Sequence, residues 1–248
     1  MSDSRDQDVD RILRTWGYQP GAISARLVCA DDGREVLQMR IEMGLLQMET
    51  KGRPDGEMPE GAETFLDCLI QQSFGEDEKF VLSGEQCFEV DREFLQYYHR
   101  RICWLALREF RRAIDDADHT LALMDFAAEH SPDQRWTLSH EQYRPFVIFH
   151  RTQAAAMDVL KDSGPEAAIE QINAGLQRMR EVYAAMEAQE EFEEDELAAQ
   201  LQGLKESLRE EYAVGRTLHE QLSDAIAAEE YERAARLRDQ IARRSKHI

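Results

Sequence analysis

The second half of the chain carries the strongest constraint on the fold, a helical spacing of its apolar residues. From Arg92 almost to the C-terminus, apolar side chains recur every three or four residues, which places them on one helix face. Ser131-Pro132-Asp133 and Gly164-Pro165 interrupt the pattern. Four helices are predicted, with apolar faces formed by Phe94, Tyr97, Tyr98, Ile102, Leu105 and Ala106; by Phe110, Ala113, Ile114, Ala117, Leu121, Met124 and Phe126; by Tyr143, Phe146, Val147, Phe149, His150, Ala154, Met157 and Leu160; and by Ala168, Ile169, Ile172, Leu176 and Met179. The predicted class is mainly α, built from antiparallel helical pairs.

The two helical pairs are similar to each other in sequence. Tyr98-His99-Arg100 corresponds to Phe149-His150-Arg151, and Ala113-Ile114 corresponds to Ala168-Ile169. Repeated helical pairs stack in solenoid proteins. These positions resemble tetratricopeptide repeats, although the repeat distance is longer and the Trp-Leu-Gly-Tyr signature is missing. The resemblance implies a tetratricopeptide-like helical domain over residues 91–186.

Alternation of apolar residues before residue 50 predicts a small β-hairpin region. Ala25, Leu27 and Cys29 alternate first, the turn signal Asp31-Asp32-Gly33 follows, and Val36, Leu37, Met39, Ile41 and Met43 then form a half-buried strand. The segment 45–49 is predicted as a third strand or a bulged continuation. The rest of the region 1–90 is predicted to be a frayed N-terminal tail, a short helix over 9–16, a second helix over 63–74 that ends at Gly75, and a loop or helix over 80–90. Together with the strands these segments form a small α+β region.

The loop Lys51-Gly52-Arg53-Pro54-Asp55-Gly56 combines glycine with basic residues, as phosphate-binding loops do. Its spacing differs from GxxxxGK[ST], and no predicted helix begins directly after it, so a P-loop is rejected. Tight turns rich in Gly, Pro and Asp explain such a loop more simply. A small-ligand or enzymatic function in the Gly33–Gly56 region, with contacts at Arg53 or Asp55, stays open as an alternative.

Charge limits the partners that the chain can have. Its formal net charge of -20 should repel the phosphate backbone, so nonspecific nucleic-acid binding by the whole protein is not expected. The C-terminal tail is basic, with Arg233, Arg236, Arg238, Arg243, Arg244 and Lys246. Solvated helix faces and helix-terminal charges are the favoured interpretation of this tail, and a local DNA contact is the alternative.

The cysteines and the N-terminus predict a soluble cytoplasmic protein. Cys29, Cys68, Cys87 and Cys103 form no CxxC pair, and we expect reduced and mostly buried thiols. The residues after Met1 are polar and acidic, unlike a secretory signal. No apolar run approaches the length of a membrane span.

Candidate catalytic or metal-binding residues are few. His99, His119 and His150 lie on different predicted helices, and packing or hydrogen bonding is the favoured role for the first and the last. Asp115 and His119 share a helix face at i and i+4 and could bind a metal, but no third ligand can be identified. Common hydrolase, nucleotide-binding and zinc motifs are absent. We therefore predict no enzymatic activity, catalytic residue, metal or cofactor.

An acidic run at 187–196 favours a solvated helix or linker. After it, Leu197, Leu201, Leu204, Leu208 and Tyr212 recur at near-heptad spacing, which is typical of a helix able to pair in a coiled coil. The predicted domain order therefore ends with an acidic linker and amphipathic helix at 187–216, and a helical hairpin at 217–248.

Two short amphipathic helices are predicted at the C-terminus. Leu218, Leu222 and Ile226 line the first. Glu229-Glu230 precedes the second helix, where acidic residues suit the positive end of the helix dipole. Paired alanines at Ala234-Ala235 allow close approach of a neighbouring helix. Two short helices bury little apolar surface alone, which favours docking over packing on the same chain.

These residues resemble the UVR motif, the helical hairpin shared by the excision-repair subunits UvrB and UvrC and by the Clp-system modulator McsA. Tyr231 stands where the family usually has Phe. The resemblance implies docking onto another such hairpin, with partner-binding residues Leu218, Leu222, Ile226, Glu230, Tyr231, Ala234, Ala235, Leu237, Arg238, Asp239 and Ile241. Arg238 and Asp239 would fix the register by charge pairing.

The resulting functional prediction is an adaptor or a self-associating scaffold in a bacterial cell. Its expected partner is a protein with a UVR-type hairpin, from excision repair or the Clp system, or a second copy of the chain. The nuclease, helicase and zinc-binding signatures of those relatives are absent, so the resemblance brings no enzyme with it.

Overall fold

The computed structural model describes residues 8–74 and 80–244. The chain divides into two compact units, Met1–Val147 and Ile148–Ile248. Most of the described residues are helical, so the predicted mainly α class is confirmed. The predicted domain boundaries are finer than this division and stay predictions. The N-terminal part of the predicted frayed tail, the helix end at Gly75 and the basic Lys246 lie outside the described residues.

The first unit joins a small sheet to a set of helices. Its elements are α1 (Asp10–Thr15), β1 (Ser24–Cys29), β2 (Glu35–Ile41), β3 (Gly44–Glu49), a short 3-10 turn (Pro59–Gly61), α2 (Phe65–Ser73), α3 (Gly84–Leu107), α4 (Phe110–Glu129), α5 (Gln134–Glu141) and the start of α6 (Arg144–Ala185). Ser83 and Gln86 form a capping box that begins α3. The segment 80–90, which the sequence left open as loop or helix, is therefore helical from Gly84 onward. Helix α5, capped by Asp133, was not predicted.

The sheet is antiparallel with the strand order β1-β2-β3, so the predicted third strand is confirmed. Gly33, at φ 86°, allows the turn between β1 and β2. The prediction that β2 is half-buried is wrong, because residues 36–40 are all buried. Helix α3 packs on the sheet, and the Gln38 side chain is hydrogen-bonded to Arg26 and Gln47 on the two flanking strands. The central strand is thus covered on both faces.

Helices α3 and α4 form an antiparallel pair joined by a two-residue connection. Arg108 ends α3 in the left-handed conformation at φ 60°. The apolar core below this pair consists of Ala62, Phe65, Leu66, Cys68, Leu69, Phe80, Leu82, Cys87, Val90, Leu123 and Ala127. Cys68, Cys87 and Cys103 are buried free thiols and Cys29 is an exposed one. This packing brings the N-terminus of α2 against α3.

The second unit contains the rest of α6, then α7 (Gln189–Glu194), α8 (Glu196–Tyr212), α9 (Leu218–Ala227) and α10 (Tyr231–Arg244). Gly164, at φ 82° and followed by Pro165, breaks α6 into two halves as the sequence predicts. The halves approach closely, because Gly175 lies directly against the Thr152 side chain. The acidic run at 187–196 was predicted to be a solvated helix or linker. It contains one buried ring, Phe192, which packs edge-on against Tyr183.

The apolar stripe of α8 is partly buried inside the chain itself. Leu201 and Leu208 are buried, whereas Tyr212 is 45% exposed at the end of the helix. The coiled coil stays a prediction. Within the part of the chain that the structure describes, no helix is long and apolar enough to cross a membrane.

Candidate functional site

The C-terminal helical pair α9–α10 begins and turns at well-defined caps. Thr217 and Glu220 form a capping box, in which the Thr217 hydroxyl accepts from the Glu220 amide and the Glu220 carboxylate accepts from the Thr217 amide. At the turn, Glu229 is left-handed at φ 58°. The Glu230 amide donates to the Ala225 carbonyl at 2.8 Å and the Glu229 amide donates to Ile226 at 3.0 Å. This is the Schellman pattern, which reverses the chain tightly.

The interior of the hairpin uses four of the eleven predicted partner-binding residues, Leu218, Leu222, Ala234 and Leu237. Ala225, Ala234 and Leu237 are buried together, with Leu218 and Leu222 packed against them. The two alanines, one on each helix, let the backbones approach closely. These side chains hold α9 to α10, so the apolar surface that they bury within the hairpin does not contact a partner.

The rest of the predicted set lies at the surface. Ile226 is 56% exposed and Tyr231 is 70% exposed, on either side of the turn. The predicted residues Glu230, Ala235, Arg238 and Asp239 are also exposed, and Ile241 is half-buried. Arg238 Nη2 donates to Asp239 Oδ1 at 3.2 Å, so these two charges pair with each other in the free chain. The exposed group surrounds the turn and the outer face of α10.

A polar cluster that sequence reasoning missed attaches α9 to the rest of the second unit. Glu220 accepts from Asn173 on α6 at 3.2 Å and from Arg209 on α8. Lys205 Nζ donates to the Asn173 amide oxygen at 3.4 Å. The sequence held one signal, the Thr-x-x-Glu pattern of the capping box at Thr217–Glu220. Nothing local indicated that the same carboxylate also binds two other helices.

The pKa of Glu220 is lowered from its ordinary value of 4.5. Burial acts to raise the pKa, but the Thr217 backbone N–H, the Asn173 amide and the Arg209 guanidinium all favour the ionised form and outweigh it. The stabilisation from this carboxylate is therefore fully present above pH 4.5, and it is lost as the pH falls through the folded-state pKa.

We expect Glu220→Gln to destabilise the chain by about 1 kcal/mol at pH 7, because it removes the charge from a helix cap. The difference from the wild type should shrink below pH 4.5 and vanish at lower pH, where the carboxylate is protonated in both states. Urea denaturation followed by circular dichroism at several pH values measures this. Glu232→Gln is the matched control, since that side chain is 94% exposed on the same hairpin. A pH-independent loss in Glu220→Gln would contradict the assignment.

The Gly33–Gly56 region, the sequence-based alternative site, centres on a buried arginine. Arg53 is 2% exposed, and its guanidinium faces four carboxylates of the chain itself. The nearest contacts join Nη2 to Glu89 at 2.7 Å and Nε to Asp55 at 3.3 Å, with Glu57 and Glu93 slightly farther away. Protein carboxylates therefore occupy the positions that an anionic ligand of Arg53 would take, and this geometry indicates a structural role.

Glu93 is the centre of this ion-pair network and is fully buried. Its two oxygens accept from the Phe65 and Leu66 amides at the start of α2, at 2.6 and 3.1 Å. His119 Nε2 lies 2.9 Å from Glu93 Oε1, and its ring stacks on Tyr97 at 3.8 Å. A carboxylate at a helix N-terminus is favoured by the free amides and by the helix dipole.

Asp115 and His119, which were considered from the sequence as two ligands of a metal, do not face a common site, because His119 points to Glu93 and Asp115 is exposed. Over residues 8–74 and 80–244, no group of three or more His, Cys, Asp or Glu side chains is arranged to hold a metal ion. His99 is half-buried beside Tyr98 and His150 is buried beside Phe149. Burial lowers the pKa of His99.

Comparison with known proteins gives one match. The family model described as UVR, the UvrB/uvrC motif, matches residues 216–245, which is the hairpin α9–α10 together with its first cap. No curated protein and no solved structure matches the chain significantly. The likeness to a known family therefore covers the hairpin alone, and the tetratricopeptide-like character of the other helices stays a prediction.

Proposed function

We propose that this chain is a non-enzymatic docking protein whose hairpin α9–α10 pairs with another UVR-type hairpin. The observation that carries the proposal is the exposure of two large apolar side chains, Ile226 at 56% and Tyr231 at 70%, on a motif otherwise packed against itself. An exposed apolar pair of this kind gains free energy when a partner covers it. The favoured occupant is a second hairpin of the same type, which would complete a four-helix bundle.

Charged residues around the apolar pair would set the register of the two hairpins. Arg238 and Asp239 are 72% and 60% exposed and could exchange partners across a two-fold interface. Such rim charges contribute specificity more than affinity.

Ion pairs on α10 support protein docking over DNA contact. Arg233 pairs with Glu230 at 2.8 Å, and Arg236 lies 3.6 Å from Glu232. Each acidic partner offsets positive charge that a phosphate backbone would need. The proposed pathway, excision repair or the Clp system, follows from the analogy with the UVR family.

Light-scattering mass measurement of the purified chain tests the proposal. We expect a dimer that Ile226→Asp with Tyr231→Asp converts to a monomer, because two buried charges without partners are costly in an interface. Tyr212→Asp is the control, since it places an aspartate on a 45% exposed tyrosine of the same unit, outside the hairpin.

A dimer that survives the hairpin variant but is lost with Tyr212→Asp would place self-association on α8 and contradict the proposal. If the wild type is monomeric, the same variants are tested for binding to a different protein that carries a UVR motif, by anisotropy of the labelled full-length chain. Equal affinity of wild type and hairpin variant there would exclude the hairpin as the docking surface.

A further inference from the structure

The first unit contains an aromatic cavity that belongs to neither the hairpin nor the Arg53 network. It lies between α3, α5 and the start of α6, and its volume is about 720 Å³. Cavities of about 300–1,000 Å³ are typical of small-molecule sites. The walls carry four aromatic rings and two aliphatic side chains, those of Phe94, Tyr98, Tyr143, Phe146, Leu95 and Val147. Such walls suit a flat, apolar ligand.

The polar lining groups beside α5 are bonded within the protein. Asp91 Oδ1 accepts from Trp136 Nε1 at 3.0 Å and lies 2.9 Å from His140 Nε2. His140 Nδ1 faces the Trp136 carbonyl at 3.0 Å, and the Ser139 hydroxyl donates to the same carbonyl at 2.6 Å. The acidic lining residue is thus paired with a histidine and an indole of the chain itself.

Arg101, the basic residue of the lining, is also engaged within the protein. It is 1% exposed, its Nη1 donates to the Thr120 hydroxyl at 2.8 Å, and it has further interactions with the chain. Burial lowers the pKa of Arg101 to about 10, and the buried Asp116 carboxylate acts against this shift. The charge of Arg101 is therefore coupled to a carboxylate of the protein and does not select an anionic ligand.

We propose that this cavity binds a small neutral aromatic molecule, with its ring among Phe94, Tyr98 and Tyr143. Apolar contact with the aromatic walls would supply the binding free energy. An ion would lose its hydration on entry, and the charged lining groups already have partners in the protein. The hydroxyls of Tyr98 and Tyr143 are neutral and suit a hydroxyl or ring N–H of the ligand.

Isothermal titration with three matched ligands tests the preference for a neutral molecule. The alcohol 2-naphthylmethanol, the anion 2-naphthoate and the cation 2-naphthylmethylammonium share one ring system and differ in charge. We expect saturable 1:1 binding of the alcohol, at least about tenfold tighter than that of either ion, because burial of a charge without a partner is costly.

Variants at Tyr143 test where the ligand lies. Tyr143 lines the cavity and is 49% exposed, so we expect its variants to fold. Tyr143→Ala removes one aromatic wall and should weaken binding of the alcohol at least about fivefold, whereas Tyr143→Phe keeps the ring and should weaken it about twofold or less. Tyr18→Ala is the matched control, since Tyr18 is 39% exposed in the same unit and lies outside the lining. It should leave the affinity nearly unchanged.

An affinity for the naphthoate or the ammonium ion that equals or exceeds the affinity for the alcohol would overturn the proposal. So would the absence of saturable binding of the alcohol up to its solubility limit, and so would equal effects of Tyr143→Ala and Tyr18→Ala. The cavity and the hairpin lie in different units, so these outcomes are independent of the proposed docking function.

Discussion

Glu93→Gln is expected to destabilise the first unit by about 3 kcal/mol, because it removes a buried charge on which several groups depend. The carboxylate accepts from two amides at the start of α2, pairs with His119 and lies 3.6 Å from Arg53. Its replacement by an amide puts N–H donors where only acceptors fit. Urea denaturation followed by tryptophan fluorescence reports on this unit, since Trp16, Trp104 and Trp136 all lie in it.

Glu57→Gln is the matched control for this prediction. Glu57 also faces Arg53, at 3.8 Å, but its side chain is 60% exposed. Solvent screens such a pair, and we expect a change of about 0.5 kcal/mol or less. A similar small loss in Glu93→Gln would mean that the buried network is not what holds α2 to α3.

Gly175→Ala should destabilise the second unit by about 2–4 kcal/mol, although alanine is normally the better helix former. A Cβ at residue 175 would lie 2.0 Å from Thr152 Oγ1 and 2.6 Å from Thr152 Cβ. Thr152 is 3% exposed and its Cβ moves only with the backbone, so the two halves of α6 must separate. Thermal unfolding followed by circular dichroism measures the loss.

Two further variants separate this clash from the general effect of a helical Gly→Ala change. Gly203→Ala, in α8, meets nothing within 4 Å and should stabilise the chain by up to about 1 kcal/mol. Thr152→Gly combined with Gly175→Ala should be less unstable than the sum of the two single changes, because the clashing atoms are gone. Additive losses would contradict the close contact between the halves of α6.

The proposed docking surface depends on a buried polar group for its position. Ile226 and Tyr231 lie on the hairpin, and Glu220 bonds α9 to α6 and α8. Stability measurements on Glu220 therefore serve as controls for the docking experiments.

Local features of the fold could be predicted from the sequence because they depend on neighbours in the chain. Apolar spacing located α3, α4 and both halves of α6, and Gly164-Pro165 marked the break between those halves. The turn at Gly33 and the hairpin around Glu229 were predicted for the same reason. Spacing reports which residues share a face, and turn residues report where the chain reverses.

The partners of those faces were decided only by the tertiary structure. Asp91-Arg92-Glu93 is typical of a solvated helix surface, yet Glu93 is fully buried because residues 53, 65 and 119 converge on it from other segments. The hairpin shows the same limit, since the sequence could not say that Leu222 would face inward and Ile226 outward. Periodicity identifies an amphipathic face, but burial of a particular side chain depends on contacts between residues far apart in sequence.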